Sequence, residues 1–100
     1  MPRKRSRAKR SVTLPTREEI RGNTIRIIAA CAKRDPAALT GEEELAKLGI
    51  PDSNMPFLRN TLLGYMQFFN EKCRLRVTQL RKPKQTINGV VLIVQTEMLS

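Results

Sequence analysis

The chain has 100 residues, 40% of them hydrophobic and 4% aromatic, and its 19 Lys and Arg against nine Asp and Glu leave a net charge of +10. That length holds one domain with one modest core. With no histidine there is no histidine general base, no Ser-His-Asp triad and no His-containing zinc site, and two cysteines alone do not complete a structural zinc site.

No run approaches the ~18 consecutive apolar residues of a membrane span, and the start of the chain lacks the apolar stretch of a secretory signal. A cytoplasmic protein is the expectation, with Cys31 and Cys73 as reduced, buried thiols. No catalytic residue and no metal ligand set is read from the composition.

Six of the ten net positive charges lie in the first ten residues, as Arg3, Lys4, Arg5, Arg7, Lys9 and Arg10, with no acid among them. Residues 1–13 therefore read as a disordered basic arm and 14–100 as a single small domain. Arg74, Arg76, Arg81, Lys82 and Lys84 form a second basic stretch. Together these residues are candidates for contact with nucleic acid or another polyanion, against the alternative that they only aid solubility.

In chain order, Thr16-Arg17-Glu18-Glu19 is a capping box after Pro15, and Ile20, Ile27, Ile28 and Cys31 share a helical face. This predicts a helix over 16–33, ended near Asp35-Pro36. Thr40-Gly41-Glu42-Glu43 repeats the capping pattern ahead of Leu45 and Leu48, predicting a short helical turn or structured loop stopped at Gly49 and Pro51. Asp52-Ser53 then stands at the mouth of a long apolar-periodic segment. A serine there is an N-cap by its local features, and free backbone N–H groups at a helix start also favour an anion. Pro56 suits a first helical turn. Leu58, Leu62, Tyr65, Phe69 and Cys73 recur on one face, predicting a helix over about 54–72. With so few rings in the chain, Phe57, Tyr65, Phe68 and Phe69 are expected to help build the core.

Beyond Cys73 two readings stay open. Thr86-Ile87-Asn88-Gly89 followed by Val90-Val91-Leu92-Ile93-Val94 is β-branched and continuous, so propensity favours a strand. A buried last helix N-capped by Thr86 fits the same residues.

On these residues, segment 16–96 resembles an acyl carrier protein, a small helical bundle bearing phosphopantetheine on a serine. The likeness rests on Glu18-Glu19-Ile20, Ile27-Ile28, Asp35-Pro36-Ala37-Ala38-Leu39-Thr40, Leu45, Leu48-Gly49 and Asp52-Ser53. It continues through Lys82 to Ile87 and Val90-Val91. The intervals from Ile20 to Ile27-Ile28, Leu39 and Ser53 agree with the family's without a net gap. The resemblance implies an all-α, four-helix carrier-like bundle with 4'-phosphopantetheine on Ser53. It further implies that Asp52 helps position the metal and cofactor used by the phosphopantetheinyl transferase, and that acyl-transferring or ligating enzymes are the other partners. Leu58, Leu62, Tyr65 and Val90 become candidates for lining an acyl cleft, beside the plainer reading that they are core. The sequence departs from the family in one extra residue before Asp52, in Asn54 and Pro56, and in lacking the acidic second helix that partner enzymes grip.

The competing expectation is an α+β winged-helix-like nucleic-acid binder. Glu42–Leu48 would be the first helix of a helix-turn-helix, Met55–Phe69 the recognition helix, and Arg74–Arg81 with Thr86–Thr96 a C-terminal β-hairpin. Only Arg59, Asn60 and Gln67 offer polar readers on that recognition helix. The state of 86–96 separates the two architectures.

Overall fold

The computed structural model describes residues 13–100, and the arm residues Arg3, Lys4, Arg5, Arg7, Lys9 and Arg10 lie outside the described residues. The described residues form four α-helices, α1 (Arg17–Ala32), α2 (Met55–Phe69), α3 (Val77–Leu80) and α4 (Ile87–Leu99), and no strand. This is the expected small all-α bundle. Neither the predicted hairpin nor the strand favoured at 86–96 is found.

α1 begins as its sequence dictates. Thr16 N–H donates to Glu19 Oε1 at 2.8 Å and Glu19 N–H donates to Thr16 Oγ1 at 3.1 Å, a reciprocal cap. It ends on Lys33 in the left-handed region at φ 57°, where Arg34 N–H reaches Ala29 O at 2.9 Å. The buried stripe is Ile20, Thr24, Ile25, Ile28 and Ala29, so Ile27 and Cys31 are only half-buried at its margin.

The segment from 33 to 54 carries three short 3₁₀ turns, Pro36–Ala38, Leu45–Lys47 and Asp52–Asn54. The second capping pattern works chemically without starting an α-helix. Glu43 accepts from Thr40 N–H at 2.9 Å and Gly41 N–H at 2.8 Å, and the chain then runs past the start of α4. There Glu44 and Thr86 form an isolated antiparallel bridge. Asn88 N–H donates to Gly41 O at 2.8 Å, Ile87 N–H to Glu43 O at 3.0 Å, and Gly89 N–H to Thr86 Oγ1 at 3.0 Å. The first amides of a helix have no partner inside it. Here three of them are satisfied by this crossing segment and the Thr86 cap, which explains how a β-branched run becomes a helix.

α4 packs chiefly on α1, α2 closes against both, and α3 rests on α2. Ile20, Ile28, Leu58, Leu62, Met66, Ile87, Val90, Val94 and Met98 meet at the centre, all fully buried. Burying a side chain of this size contributes about 1.5–3 kcal/mol relative to leaving it exposed, so the interlock of α1, α2 and α4 dominates stability. α2 stops at Phe69, short of the predicted 72. Cys73 is buried from the irregular stretch after it, with its N–H on Asn70 O at 3.0 Å, and not from the helix face. Phe57 and Phe68 are 63% and 69% exposed, so two of the four rings expected in the core lie outside it.

Candidate functional site

Pro51 directs the chain into the 3₁₀ turn Asp52–Asn54, which runs straight into α2. Asn54 N–H donates to Pro51 O at 2.8 Å and Met55 N–H to Asp52 O. Pro56 has no N–H to offer. Of the amides expected to stand free for an anion, those of Asn54 and Met55 are therefore used and that of Pro56 is missing. Neither Asp52 nor Ser53 is the N-cap of α2. That position is Asn54, at φ −93° and with no side-chain cap bond. The extra helical residues of the turn put Ser53 one position and Asp52 two positions ahead of the place from which a cap reaches the helix amides.

Ser53 is exposed, and its hydroxyl has no partner among the described residues. Asp52 is engaged. Arg81 Nε lies 3.0 Å from Asp52 Oδ1, and Arg81 Nη2 donates to Asp52 Oδ2 and to Asp52 O, each at 3.3 Å. The two side chains are 83% (Asp52) and 43% (Arg81) exposed, so the pair is worth at most about 1 kcal/mol. Its effect is positional, tying the loop after α3 to the turn that holds Ser53. A contact spanning 29 residues left no signal in the sequence.

The other basic candidates of this region are all exposed. Arg74 Nη1 donates to the carbonyls of Lys72 (3.3 Å) and Cys73 (3.2 Å). Among the described residues the side chains of Arg76, Lys82 and Lys84 have no hydrogen bond or ion pair. Of the four cleft candidates, Leu58, Leu62 and Val90 are at 0% exposure inside the central core. Tyr65 is half-buried, its hydroxyl accepting from Asn23 Nδ2 at 3.1 Å and its ring edge-on to Phe69 at 5.7 Å.

The apolar pattern of the sequence does not predict a groove of about 320 Å³ between α1 and α2. It is lined by Arg26, Ile27, Ala30, Cys31, Phe57 and Thr61. The clue in the sequence is Phe57 itself, a large ring off the Leu58-Leu62-Tyr65-Phe69 stripe. Burial pushes the Cys31 thiol above its ordinary pKa, so at neutral pH it is a weak nucleophile. No group of three or more His, Cys, Asp or Glu able to hold a metal occurs among the described residues, and none of their helices is long and apolar enough to cross a membrane.

No family model, curated protein or solved structure matches this chain.

Proposed function

We propose that this chain is an acyl or aminoacyl carrier protein with phosphopantetheine attached to Ser53. The observation that carries the reading is the exposed, unpartnered Ser53 hydroxyl on a tight turn that feeds the second long helix of a bundle ordered long, long, short, long. A hydroxyl that must form a phosphodiester has to be reachable and free of internal hydrogen bonds, and Ser53 meets both needs. The group fits this position, since the side chain opens to solvent and no neighbouring bond has to break first. When bound, phosphopantetheine would supply the thiol that holds the cargo as a thioester. The chain's own task is then presentation, which requires no catalytic side chain. Asp52 stands beside the serine as the resemblance requires, with Arg81 holding its carboxylate.

Phosphopantetheinyl transferases and acyl-transferring or ligating enzymes are the partners this reading calls for. Incubation with coenzyme A and a phosphopantetheinyl transferase is expected to add one prosthetic group, read by intact mass, and Ser53→Ala is expected to abolish the addition. No mass change with several broad-specificity transferases would overturn the proposal.

The winged-helix reading loses its frame. Residues 42–48 hold only a three-residue 3₁₀ turn, and 86–96 lie within α4 and its cap. Polyanion binding through the basic arm is a separate proposal, tested by whether deleting residues 1–10 lowers the salt dependence of nucleic-acid affinity.

A further inference from the structure

We propose that the surface around Ser53 is a cationic docking face with one apolar anchor, and that its occupant is an acidic surface of a partner protein. This deepens the carrier reading and rests on it for the partner's identity, an enzyme that loads or unloads the arm.

The charge argument begins with α2. Its 15 residues contain no acid, and Arg59 is their one charged residue. The contact of Arg81 with Asp52 then brings the loop that carries Lys82 and Lys84 against the 52–54 turn. Arg76 opens α3 one helical turn away, and α3 itself rests on α2. Two acids of this region are matched by cations, and a third, Glu43, is held by the backbone N–H groups of Thr40 and Gly41. Asp52 is held by Arg81, and Glu44, bridged to Thr86 beside this loop, lies 3.9 Å from Lys47 through its carboxylate. Arg76, Lys82 and Lys84 are left exposed without a counter-charge among the described residues.

Phe57 supplies the anchor. It lies on the first turn of α2, four residues from Ser53, and is 63% exposed. Protein interfaces join a large aromatic ring at their centre to a charged rim, and the rim charges set partner choice and encounter rate. The exposed α2 positions beside Phe57 are the neutral Asn60 and Thr61. A phosphate polymer would instead favour cations along its whole track. Here Phe57 shares its groove with Ile27, Ala30 and a single cation, Arg26, and the Asp52 carboxylate lies against Arg81. The arrangement fits carboxylates on a folded partner better than a nucleic-acid backbone.

The test follows backbone amide shifts of the isotope-labelled full chain during titration with three probes: a Glu-rich amphipathic helical peptide, a short duplex DNA, and phosphatidylglycerol vesicles. The peptide is expected to perturb residues 52–57 and 76–84. Combined R76Q, K82Q and K84Q substitution, which keeps the basic arm, is expected to weaken peptide binding about tenfold. Phe57→Ala is expected to weaken the peptide and leave DNA unchanged. Peptide shifts confined to other residues, or an affinity within twofold in the triple variant, would overturn the docking face. DNA or vesicles binding the same residues more tightly than the peptide, with no dependence on Phe57, would overturn the acidic-protein assignment. Intact-mass measurement of Ser53 loading on the same samples separates the two proposals. Loading without peptide binding retains the carrier and removes the face, and peptide binding without loading does the reverse.

Discussion

Thr24 is fully buried on α1, one turn from Ile20 and one from Ile28, and its Oγ1 has no hydrogen-bond partner among the described residues. A hydroxyl taken out of water without a partner costs about 1–3 kcal/mol on mutational scales. Thr24→Val keeps the shape, the branching at Cβ and nearly the same helix propensity, while replacing the hydroxyl with a methyl that gains from burial. The variant is therefore expected to be more stable by about 1–2 kcal/mol, a rise of several degrees in Tm for a domain of this size. Thr24→Ser is the matched control. It retains the orphan hydroxyl and loses the buried methyl, so it is expected to cost about 1 kcal/mol. Urea and thermal unfolding of the three proteins at one pH and concentration measure both signs. A destabilised Thr24→Val would refute the reasoning, because loss of a satisfied hydrogen bond carries the opposite sign.

Other outcomes arise from the loop that caps α4. Gly41 sits at φ +103° with Asn88 Oδ1 and Arg21 Nη2 where a Cβ would go, so Gly41→Ala is expected to cost about 2 kcal/mol in urea unfolding. Gly49, at φ +85° with open space around it, is expected to cost nearer about 1 kcal/mol on the same change, from backbone strain alone. Backbone N–H groups of Thr40 and Gly41 hold the Glu43 carboxyl below the usual carboxylate range. Because the folded pKa is the lower one, this stabilisation is complete above the unfolded pKa of about 4.3 and disappears as pH falls through the folded value. Glu43→Gln is thus expected to be less stable than the parent at pH 7 and to converge with it in acid, followed by circular dichroism. Burial raises both thiol pKa values, and the Glu97 carboxylate raises that of Cys73 further, partly offset by Arg74. Aromatic disulfide reagents at neutral pH are expected to label half-buried Cys31 first and Cys73, at 1% exposure, only as the chain unfolds. Equal rates in native buffer would contradict that placement.

Where a signal was local, the sequence carried it to within a few residues. Thr16 and Glu19 placed the start of α1, because a capping box joins residues three apart and needs no tertiary partner. The stripe of Leu58 and Leu62 identified α2 and its inner face, since both lie on one helical side. The exposed position of Ser53 before α2 was also legible. Its expected role as a cap was not, because the 3₁₀ turn and Pro56 decide which amides remain free.

The chain's own residues determined its charge, its lack of histidine chemistry, the Thr16 and Thr86 caps of α1 and α4 and the order of its apolar stripes, all of which depend on neighbours along the backbone. Tertiary structure alone decided the rest. Val90 to Val94 became helical because Gly41 and Glu43 supply carbonyls to the first amides of α4 and because α1 and α2 bury its sides. Asp52 met Arg81 because α3 folds back onto α2. Leu58, Leu62 and Val90 closed into a core, while Phe57, equally apolar in sequence, was left outside beside Ser53. Contacts between distant segments make these choices, and hydrophobic periodicity cannot encode which segment arrives.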